Sequence, residues 1–129
     1  MQPEALQPKR VLVVDDDAWL RPMLAELLED EGYVVLEADS GYQALRQIRE
    51  QCPDVVVLDV VLPRCSGLTV LDEVRADERT RRLPVILVSG QVDLVETGQA
   101  HRAAAALHKP LDLGVLLSRL AVSLRPTAP

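Results

Sequence analysis

Three short runs of apolar residues in this chain each end at an acidic or hydroxyl side chain. The runs cover residues 11–14, 55–58 and 85–88, and the side chains that follow them are Asp15, Asp59 and Ser89. Continuous apolar runs rich in β-branched residues are typical of strands that are buried on both faces, as in a parallel sheet. Because helices must cover both faces of such a sheet, the runs predict an α/β fold.

Segments whose apolar residues have helical spacing lie between these runs and after the last of them. After the first run, a three-and-four spacing places apolar side chains at Trp19, Leu20, Met23, Leu24, Leu27 and Leu28. N-capping residues precede four helical patterns, at Asp17, Ser40, Ser66 and Asp112. Weaker patterns predict a further helix near residues 92–101, with Gly98 inside it, and strands at 33–36 and 103–107.

This alternation amounts to five strand-then-helix units. In a chain of 129 residues, it predicts one doubly wound, five-stranded parallel sheet with right-handed crossovers. A closed eight-unit barrel would need about twice that length. We expect the folded core at residues 10–124, a flexible N-terminal tail at 1–9, and at 125–129 either a tail or the start of a linker.

Charge and composition exclude several functions. The net charge of −6 and the near absence of aromatic residues (one Trp, two Tyr, no Phe) disfavour direct nucleic-acid binding. The apolar runs are far shorter than the roughly 20 residues of a membrane span, and residues 1–8 lack a signal core, so we expect a cytoplasmic protein. Cys52 and Cys65 flank a strand of about 17 Å, too long for a disulfide to bridge.

Reactive side chains gather where the predicted strands end. Because the carboxyl ends of parallel strands meet at one edge of a sheet, Asp15, Asp16, Asp59, Ser89 and Lys109 are expected to lie close together. Clustered carboxylates repel one another, and a hard divalent cation with oxygen ligands, such as Mg²⁺, compensates them. A cation beside a carboxylate, a lysine and a hydroxyl can handle a phosphoryl group.

Each of these residues also has an ordinary structural interpretation when it is taken alone. An aspartate after a strand is usually a helix cap, and Asp17 is interpreted as one. We expect Trp19 to pack against the fold, and His101 and His108 to be surface or hydrogen-bonded histidines. Only the coincidence of several reactive side chains at one sheet edge favours a chemical role.

The motifs in their order resemble the receiver domain of bacterial two-component response regulators. The resemblance is carried by residues 13–16 (VVDD), 53–63 (PDVVVLDVVLP), Ser66-Gly67, Ser89-Gly90 and Lys109-Pro110. It implies a flavodoxin-like fold with strand order 2-1-3-4-5, as in chemotaxis regulators. It also implies a cis peptide bond between Lys109 and Pro110.

The resemblance also implies a role for each site residue. Asp59 would accept a phosphoryl group from the phosphohistidine of a sensor histidine kinase or a phosphotransfer protein. Asp16 would bind Mg²⁺ or Mn²⁺ directly, Asp15 largely through water, and Asp59 and the Val61 carbonyl would complete the protein ligands. The Ser89 hydroxyl and the Lys109 ammonium would contact the phosphoryl oxygens.

The family function implied is signalling rather than turnover of a substrate. The domain would catalyse its own phosphorylation and slow dephosphorylation, and control an output domain or downstream protein, with a homodimer forming on phosphorylation. The chain departs from the family in three places. Ala106 stands where an aromatic residue is common, and the interval from Ser89 to Lys109 is shorter than usual. The predicted helix that contains Gly98 is weak. Switching is therefore expected to use backbone motion of residues 90–102.

Two other functions remain open on the sequence. An aspartate-nucleophile phosphohydrolase would use Asp15 as the nucleophile and Asp17 as the acid/base, although the chain is too short for the cap and the further acidic motif that such enzymes need. A protein-binding module with a vestigial site is the other alternative, and the complete set of reactive residues argues against it.

Overall fold

The computed structural model describes residues 7–90 and 101–125. Its strands are β1 (Arg10–Val14), β2 (Val34–Ala38), β3 (Val55–Asp59), β4 (Val85–Ser89) and β5 (Ala105–His108). Its helices within the described residues are α1 (Leu20–Asp30), α2 (Gly41–Gln51), α3 (Gly67–Ala76) and α4 (Leu113–Ser123). None of these helices is long and apolar enough to cross a membrane.

The five strands form one parallel sheet in the order β2-β1-β3-β4-β5, as predicted. Val14 lies opposite Leu58 in the register of β1 and β3, and Ser89 lies opposite His108 in that of β4 and β5. The strands therefore end almost level with one another. This register brings the residues at their carboxyl ends to a single edge of the sheet.

Alternate residues of the central strands supply two separate apolar cores. Leu12 and Val14 of β1 belong to one buried cluster, whereas Val11 and Val13 belong to the other. The first cluster also contains buried residues of α2 and α3, and the second contains buried residues of α1 and α4. The central strands are therefore continuously apolar for the reason expected from the sequence, which is that helices cover both faces of the sheet.

Helix α1 is only partly buried, and here one expectation is wrong. Trp19, which was expected to pack, is 82% exposed, and Met23 and Leu27 are also exposed. Leu24 and Leu28 point into the core. The helix begins at Leu20, so Trp19 precedes its first residue and the helical period does not carry it to the buried face.

The predicted caps hold their helices by side-chain hydrogen bonds. Ser40, Ser66 and Asp112 accept bonds from backbone N–H groups in the first turns of α2, α3 and α4. Asp17 Oδ1 accepts bonds from the N–H groups of Trp19 and Leu20, so it caps the turn that leads into α1. In the capping box, the Gln43 side chain accepts from the Asp39 N–H rather than from that of Ser40.

Boundaries differ from the prediction mainly in the outer strands. β2 covers Val34–Ala38 instead of residues 33–36, and β5 covers Ala105–His108 instead of 103–107. The predicted helix near 92–101 falls almost entirely on residues 91–100, which lie outside the described part of the chain. Both cysteines are free thiols, and the Lys109–Pro110 peptide bond is cis, as predicted.

The close approach of α3 to the end of β3 requires a glycine. A Cβ atom added to Gly67 would lie 2.1 Å from the carbonyl oxygen of Asp59 and 3.0 Å from the Val60 Cα. The Gly67 N–H also donates a 2.8 Å hydrogen bond to the Val60 carbonyl. The absence of a side chain at Gly67 therefore determines how the helix sits against the last residue of β3.

We predict that Gly67→Ala lowers the free energy of unfolding by about 2 kcal/mol or more, because backbone atoms of β3 or α3 must move to admit the methyl group. Urea denaturation measures the change. Gly90→Ala is the matched control, since no described atom lies within 4 Å of a Cβ added there. A Gly67→Ala variant as stable as the parent would contradict the predicted clash.

Candidate functional site

Polar side chains are buried at the carboxyl edge of the sheet, where the strands end. Asp15 follows β1, Asp59 is the last residue of β3, and Ser89 is the last residue of β4. In the described part of the chain, these three are the only polar or charged residues that are buried. Burying carboxylates is costly unless they are paired or bind a cation, which marks this edge as the candidate site.

Lys109 compensates part of the buried negative charge. Its Nζ atom donates a 2.8 Å hydrogen bond to Asp59 Oδ2 and lies 3.7 Å from Asp15 Oδ2. The other oxygen of Asp59, Oδ1, accepts a 3.1 Å bond from the backbone N–H of Val61. Both oxygens of Asp59 are thus oriented, one by a charge and one by the backbone.

Asp15 is fixed at both its backbone and its side chain. Its N–H donates to the Ala38 carbonyl, and its own carbonyl accepts a 2.9 Å bond from Arg21 Nη1. Its carboxylate accepts a 2.9 Å bond from the N–H of Asp17. Arg21 was not identified from the sequence as part of the site, and no motif indicates it, because it acts on a carbonyl and not on a reactive group.

The charges at this edge shift the titration of their neighbours. Burial raises the pKa of Asp15, as do the charges of Asp59 and Asp16, although the Asp17 N–H and Lys109 oppose the shift. Burial alone would lower the pKa of Lys109. The hydrogen bond and charge of Asp59, with the charge of Asp15, outweigh burial and raise it. The lysine therefore stays protonated, while an excess of negative charge surrounds it.

The donor set fits a hard divalent cation. Asp15, Asp16 and Asp59 each offer a carboxylate oxygen, and these oxygens lie within 4.8 Å of one another. Against three formal negative charges, Lys109 supplies one positive charge. Carboxylate oxygens at such spacing are ligands that Mg²⁺ and Mn²⁺ accept. Asp16, which is exposed, leaves one side of the cluster open to solvent.

Ser89 and Lys109 are connected through the backbone. The Lys109 N–H donates a 2.9 Å hydrogen bond to the Ser89 carbonyl, which extends the pairing of β4 with β5 by one residue. The structure therefore brings together Asp15, Asp16, Asp59 and Lys109, with Ser89 beside them on the next strand end. For Val61, it shows the N–H directed at Asp59.

The side chains of Asp17 and of the two histidines are not part of this group of site residues. The Asp17 carboxylate is occupied by two backbone N–H groups, and these bonds lower its pKa, which does not suit the acid/base of a phosphohydrolase. His101 Nδ1 lies 2.6 Å from an Asp72 carboxylate oxygen. His108 is exposed. His101 is thus hydrogen-bonded and His108 lies at the surface, as expected from the sequence.

We predict that two charge substitutions change stability in opposite directions when metal is absent. Lys109→Gln lowers the free energy of unfolding by about 1–3 kcal/mol, because it leaves the buried Asp59 carboxylate without its charged hydrogen-bond donor. Asp16→Asn raises it, because one of three mutually repelling carboxylates is removed. Urea denaturation in EDTA at neutral pH measures both, with the distant surface substitution Asp30→Asn as control. Shifts of the same sign would contradict the charge balance described above.

Known proteins with similar sequences cover nearly all of this chain. The PdtaR transcriptional regulatory protein of Mycobacterium tuberculosis is 38% identical over 123 residues, which are 93% of this chain and 60% of PdtaR. The chemotaxis protein CheY of Bacillus subtilis is 32% identical over 117 residues, 80% of this chain and 98% of CheY. The chain spans 54% of the phosphate regulon regulator PhoB of Pseudomonas aeruginosa, at 37% identity.

Solved structures agree with the sequence comparison. The chemotaxis response regulator CheY4 of Vibrio cholerae superposes with a TM-score of 0.84 at 29% identity, covering 92% of this chain and 100% of CheY4. The receiver domain of NtrX from Brucella abortus gives a TM-score of 0.80 at 31% identity, and the match covers 91% of this chain and 99% of the NtrX chain.

The family model for the response regulator receiver domain matches residues 11–121, which include every strand end described above. This chain belongs to the response regulator receiver domain family of two-component systems.

Proposed function

We propose that Asp59 accepts a phosphoryl group from the phosphohistidine of a sensor histidine kinase or a phosphotransfer protein. The observation that carries this proposal is the environment of Asp59: a buried carboxylate at the end of a central strand, 2.8 Å from Lys109 Nζ and close to two further carboxylates. A nucleophile for phosphoryl transfer needs such positioning and neutralisation more than it needs covalent help.

The metal implied by the family would be held by Asp16 and Asp59, by Asp15 through water, and by the Val61 carbonyl. When bound, Mg²⁺ (or Mn²⁺) neutralises negative charge on the phosphoryl oxygens and on the carboxylates around them. The cluster of three carboxylate oxygens within 4.8 Å supports this assignment, since one lysine leaves it with excess negative charge.

Other steps of the transfer are assigned to residues of the chain itself. A carboxylate oxygen of Asp59 bonds to phosphorus as the P–N bond breaks, and the electron pair of that bond returns to the imidazole. The Val61 N–H holds the other carboxylate oxygen and so limits rotation of the nucleophile. The Lys109 ammonium and the Ser89 hydroxyl then contact oxygens of the transferred group, where charge develops.

The signal then leaves through the face that joins Ser89 to Lys109. The hydrogen bond between the Lys109 N–H and the Ser89 carbonyl couples the two strand ends, so movement of one bears on the other. Ala106 packs against an apolar core and has no rotamers with which to report that movement. We therefore assign the switch to movement of the strand ends at Ser89 and Lys109, controlling an output domain or a downstream protein, with dimer formation on phosphorylation. The backbone motion expected for residues 90–102 falls mostly on residues 91–100, which lie outside the described part of the chain.

The receiver unit is proposed to span residues 10–124, with short flanking segments at 1–9 and 125–129. The family match at 11–121 and the outermost described elements, β1 and α4, support these limits. PdtaR and PhoB are named as transcriptional regulators, and CheY as a chemotaxis protein, so relatives of this domain serve different outputs.

We predict that treatment with acetyl phosphate and Mg²⁺ adds a single phosphoryl group, at Asp59. Intact-mass spectrometry followed by peptide mapping locates it. Asp59→Asn should abolish the addition because the amide is not a nucleophile, whereas Asp54→Asn, an acid at the opposite end of the same strand, should leave it unchanged. A phosphoryl group mapped to Asp15 would instead indicate the phosphohydrolase chemistry.

We also predict saturable binding of Mg²⁺ that depends on Asp16. Calorimetric titration should show one site, and Asp16→Ala should weaken binding by about tenfold or more, since the cluster loses an anionic ligand. Trp19 lies three residues from Asp16, so its fluorescence provides a second readout. The control is Asp30→Ala, and Mg²⁺ affinity that is equal in Asp16→Ala and the parent would refute the assignment.

A further inference from the structure

A depression at the amino edge of the sheet concentrates positive charge on a chain that is acidic overall. The cations that line it are Lys9, Arg75, Arg81, Arg82, Arg102 and Arg125. They are six of the 14 Lys and Arg residues of the chain, whereas Asp54 is the only acidic residue among residues 7–90 and 101–125 that lines the same depression. Charge is therefore distributed unevenly, with a basic edge opposite the acidic one.

The positive charge of this depression is not balanced by ion pairs among the described residues. Within residues 7–90 and 101–125, none of the six cations forms an ion pair with a carboxylate. The Asp54 carboxylate accepts a 2.8 Å hydrogen bond from the Arg10 N–H at the start of β1. Because like charges held together repel, the arrangement favours a bound anion.

Arg75 gives the depression a fixed framework. Its guanidinium donates Nε and Nη2 to the Arg102 carbonyl, at 3.1 and 2.9 Å, and Nη1 to the carbonyls of Leu83, at 2.7 Å, and Arg81, at 3.1 Å. It thereby ties the connection before β4 to the turn before β5. Arg102 has a left-handed backbone, with φ of 61°, which a non-glycine residue adopts only when its surroundings hold it there.

The Arg75 charge is itself partly desolvated. Burial lowers the pKa of its guanidinium, and the charge of Arg102 lowers it further. The carbonyl oxygens satisfy its hydrogen bonds but supply no full negative charge. An anion in the depression would stabilise this group and the exposed arginines beside it at the same time.

We propose that this depression binds an anion that carries a chain of two or more phosphoryl groups, either inorganic polyphosphate or the phosphate chain of a nucleoside triphosphate. Five of its six cations are arginines, whose planar guanidinium groups bind phosphate oxygens in pairs. The volume of the depression, about 610 Å³, suits a small ligand. No aromatic side chain lines it, so the phosphates rather than a base are recognised.

This site is separate from the proposed phosphoacceptor site. It adjoins residues that precede β1, β3, β4 and β5, whereas Asp59 and Lys109 stand at the other end of the strands, about 17 Å away for five residues. Loss of phosphate-chain binding therefore does not entail loss of phosphorylation at Asp59, and the reverse also holds. Asp59→Asn is expected to bind the phosphate chain as well as the parent does.

Calorimetry with inorganic tripolyphosphate tests the proposal, at low ionic strength and with EDTA so that no metal bridges the ligand to the acidic edge. The parent should bind at one site. Arg81→Gln/Arg82→Gln should weaken binding by about tenfold or more, because two exposed guanidinium groups are removed while the Arg81 carbonyl used by Arg75 remains. The matched control, Arg46→Gln/Arg49→Gln on α2, makes the same change in net charge and should alter affinity less than about twofold.

Amide chemical shifts locate the bound probe. Tripolyphosphate should shift the signals of residues 81–83 and 102–104, and leave those of residues 59–61 in place. Because the phosphates rather than a base are recognised, ATP and tripolyphosphate should bind with similar affinity. Tighter binding of a longer polyphosphate than of ATP would support free polyphosphate as the ligand, and no gain with the longer chain would support the phosphate chain of a nucleotide. The proposal fails if tripolyphosphate does not bind, if the control variant loses as much affinity as Arg81→Gln/Arg82→Gln, or if hexaglutamate binds more tightly.

Discussion

The contact between Lys109 and Asp59 is the interaction on which the carboxyl edge of this domain depends. Parallel strands in register bring Asp15 and Asp59 to one buried edge, and the lysine after β5 is the cation that reaches both. One positive charge cannot balance three carboxylates. The resulting excess of negative charge destabilises the edge and is of the kind that a divalent cation compensates.

Backbone geometry determines the position of the Asp59 carboxylate. The N–H of Val61 holds one oxygen of Asp59, and the absence of a side chain at Gly67 lets α3 approach the carbonyl of the same aspartate. Neither residue contributes a reactive group. Because both act through the backbone, the position of Asp59 is determined by the turn from β3 to α3 and does not depend on side-chain packing alone.

The sequence predicted the sheet, and the positions of the polar groups at its strand ends, more accurately than the surface. Strands buried on both faces must be continuously apolar, so β1, β3 and β4 were found almost residue by residue, and the groups at their ends with them. Helix α1 was less predictable, because its apolar spacing includes residues that face solvent, as exposed Met23 shows. Arg21 and Arg75 could not be predicted, since each binds carbonyl groups that only the folded chain brings within reach.

The two edges of the sheet are joined by more than the strands. Arg75 holds the carbonyl of Arg102, which lies just before β5, and β5 ends beside Lys109. Ser89 thus lies at the acidic edge, while the Arg102 carbonyl is held by Arg75 near the other edge. Coupling between groups bound at the two edges would require that each group favour a different arrangement of these two residues. The contacts provide a continuous path for such coupling, since backbone hydrogen bonds connect Ser89 to Lys109 and pair β4 with β5 along its length.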